Sequence, residues 1–213
     1  MSALIDFILH IDSHLINIVN TFGGYSYLIL FAIIFIETGA VILPFLPGDS
    51  LLFAASAMAV NPIYHLSAPL FVVLFLIACI AGDSLNFFLG NKFGELIPRH
   101  KTLGRFIKSK DLKRAKNFFN KYGAWAVFLA RFMPIIRTLV PFVAATSDYK
   151  YSKFIKYNII GCVSWVLVCC AGGAYFGNIP FVKAHFSMVI LGIIIISLIP
   201  ALIGYFKGRR AED

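Results

Sequence analysis

The stretch FIETGAVILPFLPGDSLLFAASAM, residues 35–58, decides the fold. It is almost wholly apolar, yet Glu37 and Asp49 stand inside it and Pro44, Pro47 and Gly48 interrupt it. Two prolines and a glycine so close together stop a continuous helix. In hydrocarbon, backbone groups freed by such a break need partners, so it is tolerated only where protein buries it or a wet cavity borders it. Residues 25–60 are therefore expected to form a helix-break-helix hairpin that dips into a membrane and returns. A second stretch of the same kind, AWAVFLARFMPIIRTLVPFVAAT at 124–146, is broken by Arg131, Pro134, Arg137 and Pro141. Each of its arms has about ten residues, or ~15 Å at ~1.5 Å per residue, half of a ~30 Å hydrocarbon layer. Residues 123–146 are expected to form a second re-entrant hairpin.

Working outward, the 213 residues are 60% hydrophobic and 14% charged, against about 25% charged in soluble domains. That composition excludes an ordinary water-soluble fold. Runs at 66–90, 157–177 and 186–206 reach the roughly 20 apolar residues that a membrane span needs; 25–43 is marginal. The net charge of +9 is unevenly placed: residues 1–91 hold no Lys or Arg, and the loop at 91–122 carries a dense basic cluster. A basic connection between apolar segments belongs on the cytoplasmic side, and this distribution speaks against a nucleic-acid partner. The N-terminus MSALIDFILHIDSHL has acids where a signal peptide needs positive charge, so it is expected to be retained.

Residues 1–22 read as an amphipathic surface helix. Asp6, His10, Ser13, Asn17 and Asn20 form one stripe, Leu4, Ile8, Ile11, Leu15 and Ile18 the other, and Gly23 and Gly24 end it. Within the basic loop, KDLKRAKNFFNKY (110–122) places Leu112, Ala115, Phe119 and Tyr122 on one side. This is a basic surface helix suited to anionic lipid, with Ser109 as its N-cap. Lys150, Lys153 and Lys156 return the chain to the cytoplasmic side, and the tail 207–213 ends there. Each half thus has a surface helix, a proline-broken hairpin and a span ending in a glycine-rich stretch, AGDSLNFFLG (81–90) or AGGAYFGN (171–178). A proline also stands ten residues after Glu37 and ten after Arg131. The expected fold is all-α: a polytopic membrane protein with two facing re-entrant hairpins in an inverted repeat, an architecture that puts its site where the broken elements meet.

An ionisable residue at the centre of a membrane helix costs roughly 2.5 to 3.5 kcal/mol on insertion scales. Glu37, Asp49, Asp83, Arg131 and Arg137 are such residues, and the two hairpins supply opposite signs. Either the acids merely neutralise the arginines and hold the hairpins together, or the tips enclose a wet cavity with work to do. Asp83, read as lying toward the cytoplasmic end of its span, is a secondary candidate able to reach water. Guanidinium presents a planar fork of donors matched to phosphate oxygens, so Arg131 and Arg137 point to an anionic, phosphate-bearing ligand. Carboxylates in a desolvated cavity exchange protons within reach of neutrality, which makes Glu37 and Asp49 candidates for proton coupling. The four cysteines lie within apolar runs without disulfide or zinc spacing, His10 and His14 sit on a surface helix, and no metal or cofactor is called for. Trp165 and Asn158 lie deeper in their span, and Asn158 is placed to hydrogen-bond between helices.

FIETGAVILPFLPGDSLLFAASAM, GDSLNFFLGNKFG (82–94) and FLARFMPIIRTLVPFVAAT (128–146) together resemble the DedA family of bacterial inner-membrane proteins, relatives of the VTT-domain lipid scramblases. The resemblance covers nearly the whole chain. It implies facing re-entrant hairpins, a role in membrane homeostasis, and transport of lipid carriers, with undecaprenyl phosphate recycling favoured. It places the family's key acids on Glu37 and Asp49 and its key arginines on Arg131 and Arg137. One departure is Ala145, where the family commonly has glycine; alanine is tolerated there unless the position needs positive φ.

Alternatives from other classes are an uncoupled phospholipid scramblase and proton-driven efflux of small cations or drugs, the latter opposed by two arginines in the cavity. An enzyme is disfavoured: no paired histidines stand at a span end for a lipid phosphatase, and the P-loop pattern is absent. The expected partners are a lipid phosphate and membrane lipids, and a homo-oligomer is compatible with the sequence.

Overall fold

The computed structural model describes residues 11–40, 48–94, 109–147, 149–176, 179 and 192. Pro44, Pro47, the run at 186–206 and the tail lie outside the described residues. Among the described residues every regular element is helical. Helix α1 (Ile11–Phe22) leads through a 3-10 turn (Gly23–Tyr25) into α2 (Ser26–Gly39); then come α3 (Gly48–Ala59), a 3-10 turn (Pro62–Tyr64), α4 (Ala68–Phe93), α5 (Ser109–Tyr122), α6 (Trp125–Ala130), α7 (Pro134–Thr146) and α8 (Tyr151–Phe176). Gly23, at φ +50°, takes the left-handed conformation that ends α1, as its sequence position implies.

Among the described residues three helical stretches are long and apolar enough to cross a bilayer: His14–Gly39, which passes through the 3-10 turn, Ala68–Phe93 and Tyr151–Phe176. At ~1.5 Å per residue, 26 residues reach ~39 Å. Their outer faces carry large apolar side chains, among them Leu28 (65% exposed), Val73 (51%) and Val168 (61%), a surface suited to lipid tails rather than water. The marginal run at 25–43 gains its length backward, through α1. The span expected at 157–177 begins at Tyr151, because Lys153 and Lys156 stand in its first turns rather than in a loop.

Helix α2 runs alongside α4 in the same direction. The Ser67 amide donates to Tyr27 Oη at 2.7 Å at one end, and Gly39 lies against Gly82, near the middle of α4, at the other. α3 begins there, against Glu37. The second hairpin follows the same plan on α8: Trp125 meets Tyr157 (ring centroids 5.4 Å apart), and Phe132, in the turn, meets Trp165 near the middle of α8 (5.5 Å). Its arms are unequal. α6 has 6 residues and α7 has 13, because the break falls at residues 131–133 and Pro134 opens α7. Pro141 is not a break: it lies inside α7, where it removes only the hydrogen bond that its N–H would have made to the Arg137 carbonyl.

α7 packs against α4, and α3 packs against α8. A Cβ on Gly90 would run into the Phe142 carbonyl, and one on Gly173 into the Phe53 carbonyl. Gly90 stands three residues before the end of α4 and Gly173 three residues before the end of α8. Bare glycines let backbones approach where hydrocarbon offers no hydrophobic drive for association. Gly90→Val and Gly173→Val are each expected to destabilise the protein by about 1–3 kcal/mol, measured by thermal melting in detergent. Gly172→Ala, whose added methyl would meet only the Phe53 ring at 3.7 Å, should melt like the parent.

Two apolar stripes expected to face lipid face protein instead. Leu15 and Val19 of α1 join the core, and Ala115 and Phe119 of α5 are buried among Val140, Val143 and other side chains of the second hairpin. The basic side of α5 stays outward. Ala145 has helical, not positive, φ, which removes the condition under which it would matter.

Candidate functional site

The five membrane-depth charges come together in two clusters. In the first, Arg137 of α7 spreads its fork across the first hairpin: Nη2 donates to Glu37 Oε1 at the end of α2, and Nη1 donates to Asp49 Oδ1 in the first turn of α3 at 2.5 Å. The Glu37 side chain is 3% exposed, Arg137 12% and Asp49 19%, so Asp49 is the open end of the triad. Gly48 leaves room for the Glu37 carboxylate, whose space a Cβ there would occupy. Its predicted role as a break is refined: it is the first residue of α3. One guanidinium faces two carboxylates, so the triad carries a formal negative charge.

In the second cluster Arg131, at the end of α6, donates through Nη2 to Asp83 Oδ2 of α4, to Cys162 Sγ and, at 3.4 Å, to Asn158 Oδ1, the last two on α8. All four residues are buried. This corrects the placing of Asp83. It lies near the middle of α4, 4% exposed and bound to Arg131, rather than near a water-accessible end. Asn158 does bond between helices, as its position implied.

The structure therefore separates two arginines that sequence alone treats alike. Arg137 is tied to both acids of the first hairpin and partly open; Arg131 is enclosed with one acid and neutralised by it. Two contributors escape the sequence reading. Cys162 is one turn beyond Asn158 on the same face of α8. Asn86 is one turn beyond Asp83 on the same face of α4 and touches both hairpins. The signal for each was present, a polar or polarisable residue at helical spacing from another inside an apolar span. Among the described residues no group of three or more His, Cys, Asp or Glu side chains is placed to hold a metal ion.

Opposed charges of two hairpins, meeting beside the middles of two long apolar helices, are a combination that comparison with known proteins can test. A family profile for the VTT domain matches residues 46–175, and the chain is 45% identical to Protein DedA of Escherichia coli over 208 residues, 98% of this chain and 94% of the relative. The chain belongs to the DedA family. Within it, the chain is also similar to undecaprenyl phosphate transporter A of Staphylococcus aureus, 30% identical over 87% of this chain and 93% of that protein. The same holds for the inner membrane protein YghB of E. coli, 30% identical over 91% and 84%. No solved structure matches. The matched region of the VTT domain begins just before Gly48 and ends near the close of α8, and so takes in Asp49, Asp83, Arg131 and Arg137 but not Glu37. The longer match to the E. coli relative spans nearly the whole chain.

Proposed function

We propose that this protein carries a polyprenyl lipid phosphate, undecaprenyl phosphate, across the bacterial cytoplasmic membrane for reuse in envelope synthesis, with proton movement coupled to the transfer. The observation that carries the reading is the Arg137 fork bridging Glu37 and Asp49 where the hairpins meet. A fork that holds two carboxylates has the geometry to hold two phosphate oxygens. The relative named as an undecaprenyl phosphate transporter supports the choice of lipid at the level of the family. In this reading the hairpins are re-entrant, enter from opposite faces as inverted repeats, and meet at mid-membrane. Their turns beside the middles of α4 and α8 and the matching Gly90 and Gly173 contacts support it. The basic loop and the C-terminus face the cytoplasm.

The charges supply the coupling. The triad starts with one excess negative charge, and a phosphate arriving at Arg137 adds more in a medium that penalises it. Uptake of a proton by one carboxylate frees part of the fork as the phosphate binds, and release of that proton reverses the exchange. Arg131, the second guanidinium, is neutralised by Asp83 and comes free for a phosphate only when that pair opens. Asp49, the more exposed acid, is the first to be displaced.

The test is movement of undecaprenyl phosphate by purified protein in vesicles, with and without an imposed pH gradient. Gradient-sensitive movement is expected, and Glu37→Gln should slow movement and leave what remains indifferent to the gradient. Movement indifferent to the gradient in the parent would make the protein an uncoupled scramblase. No movement would return the charges to a role in holding the hairpins together.

A further inference from the structure

Asn86 is fully buried between the two ion clusters. Its Nδ2 donates to the Thr138 carbonyl at 2.7 Å and reaches the Thr38 carbonyl at 3.4 Å. Thr38 follows Glu37 in the chain and Thr138 follows Arg137. A single amide thus touches the main chain next to each end of the Glu37–Arg137 bridge, from a third helix that belongs to neither hairpin. We infer that Asn86 is a positioning residue, which sets the register of α2 against α7 so that Glu37 and Arg137 meet. The inference rests on reading that pair as part of the working site.

The chemistry of the residue fits the role. A primary amide has two N–H groups and serves two carbonyls at once, whereas a hydroxyl has one proton and an aliphatic side chain none. Thr38 lies in the last turn of α2, whose final carbonyls have no partner within the helix, and it is 7% exposed. Without Asn86 that buried carbonyl loses its donor. The unequal distances give the clamp a direction: α7 is held firmly and α2 loosely, so relative movement of the hairpins opens the Thr38 contact first. Among the described residues the Asn86 Oδ1 has no hydrogen-bond partner, so there the side chain is held through its donors.

Asn86→Leu removes both donors at similar volume. In the vesicle assay it is expected to slow transport about tenfold, the effect of losing one well-made buried contact. In a Glu37→Gln background it should add little, because the pair it positions is already broken. Full additivity with Glu37→Gln, or parental transport by Asn86→Leu, would overturn the role. A second measurement needs no substrate: nitroxide labels at Ile36→Cys and Leu129→Cys, both exposed, report the distance between hairpins in a Cys169→Ser background. Asn86→Leu should broaden that distance distribution, and Ser84→Ala, a polar change on the same helix, should not. An unchanged distribution in Asn86→Leu overturns the inference whether or not lipid moves. If the parent protein fails to move undecaprenyl phosphate, the lipid reading falls and the distance measurement alone decides the role of Asn86.

Discussion

Replacing Arg137 by alanine is expected to reduce lipid-phosphate transport at least a hundredfold and to cost about 3–5 kcal/mol of stability, the usual consequence of removing one partner from a buried ion group. The loss is large because Arg137 joins three helices at one point: α7 carries it, α2 supplies Glu37 and α3 supplies Asp49. Removing it leaves a nearly inaccessible carboxylate beside a second one. Arg137→Lys should not restore transport, since an ammonium is a compact point charge and cannot make the two directed contacts of the fork. Transport by both variants in reconstituted vesicles at the parental rate would exclude Arg137 from the transport step. Arg137→Ala combined with Glu37→Gln should recover part of the lost stability, read by thermal melting, without recovering transport.

Arg131→Ala is the second large effect, and it works differently. Arg131 is enclosed with Asp83, Asn158 and Cys162, and its removal leaves Asp83 buried and uncompensated, again at about 3–5 kcal/mol. Replacing both members with apolar residues of similar size, Arg131→Met with Asp83→Leu, should return the melting temperature to near the parental value, because a buried pair costs about as much to desolvate as it returns. Transport in that double variant is expected to stay well below parental, since the second guanidinium able to take phosphate oxygens is gone. Full recovery of transport along with stability would reduce Arg131 to a structural tie between α6, α4 and α8.

Much of this was legible in the residues themselves. Charges cannot hide in an apolar sequence, and prolines announce where a helix must stop, so the two hairpins, their four ionisable residues and Asp83 stand out before any coordinates. Partner choice does not. Whether Arg131 or Arg137 meets Glu37 depends on how far each turn reaches along α4 and α8, which is set by close contacts such as Gly39 on Gly82 and Gly90 on Phe142 rather than by residue type. Pro141 misleads for a related reason: proline removes one hydrogen bond but does not dictate a turn when neighbouring helices hold the segment on both sides. The amphipathic pattern of α5 is equally ambiguous. An apolar stripe opposite lysines serves a membrane surface or a protein surface, and here Ala115 and Phe119 find α7. Asp83 lies deeper than its place in the 66–90 run implies, because the helix continues past Gly90 to Phe93 and the Arg131 side chain encloses it.

The three buried or half-buried acids all precede the basic loop and both arginines follow it. During synthesis, at about 5–20 residues per second, the first half therefore emerges and must be accommodated for some seconds before its cations exist. Over that interval Glu37, Asp49 and Asp83 have to be carried neutral, kept at the water interface, or sheltered by the insertion machinery. The fold closes only when the second hairpin arrives. Arg131 and Arg137 thereby act as a checkpoint in biogenesis: a chain cut short before residue 137 is left with carboxylates it cannot satisfy, a mark by which membrane quality control could tell an unfinished molecule from a finished one.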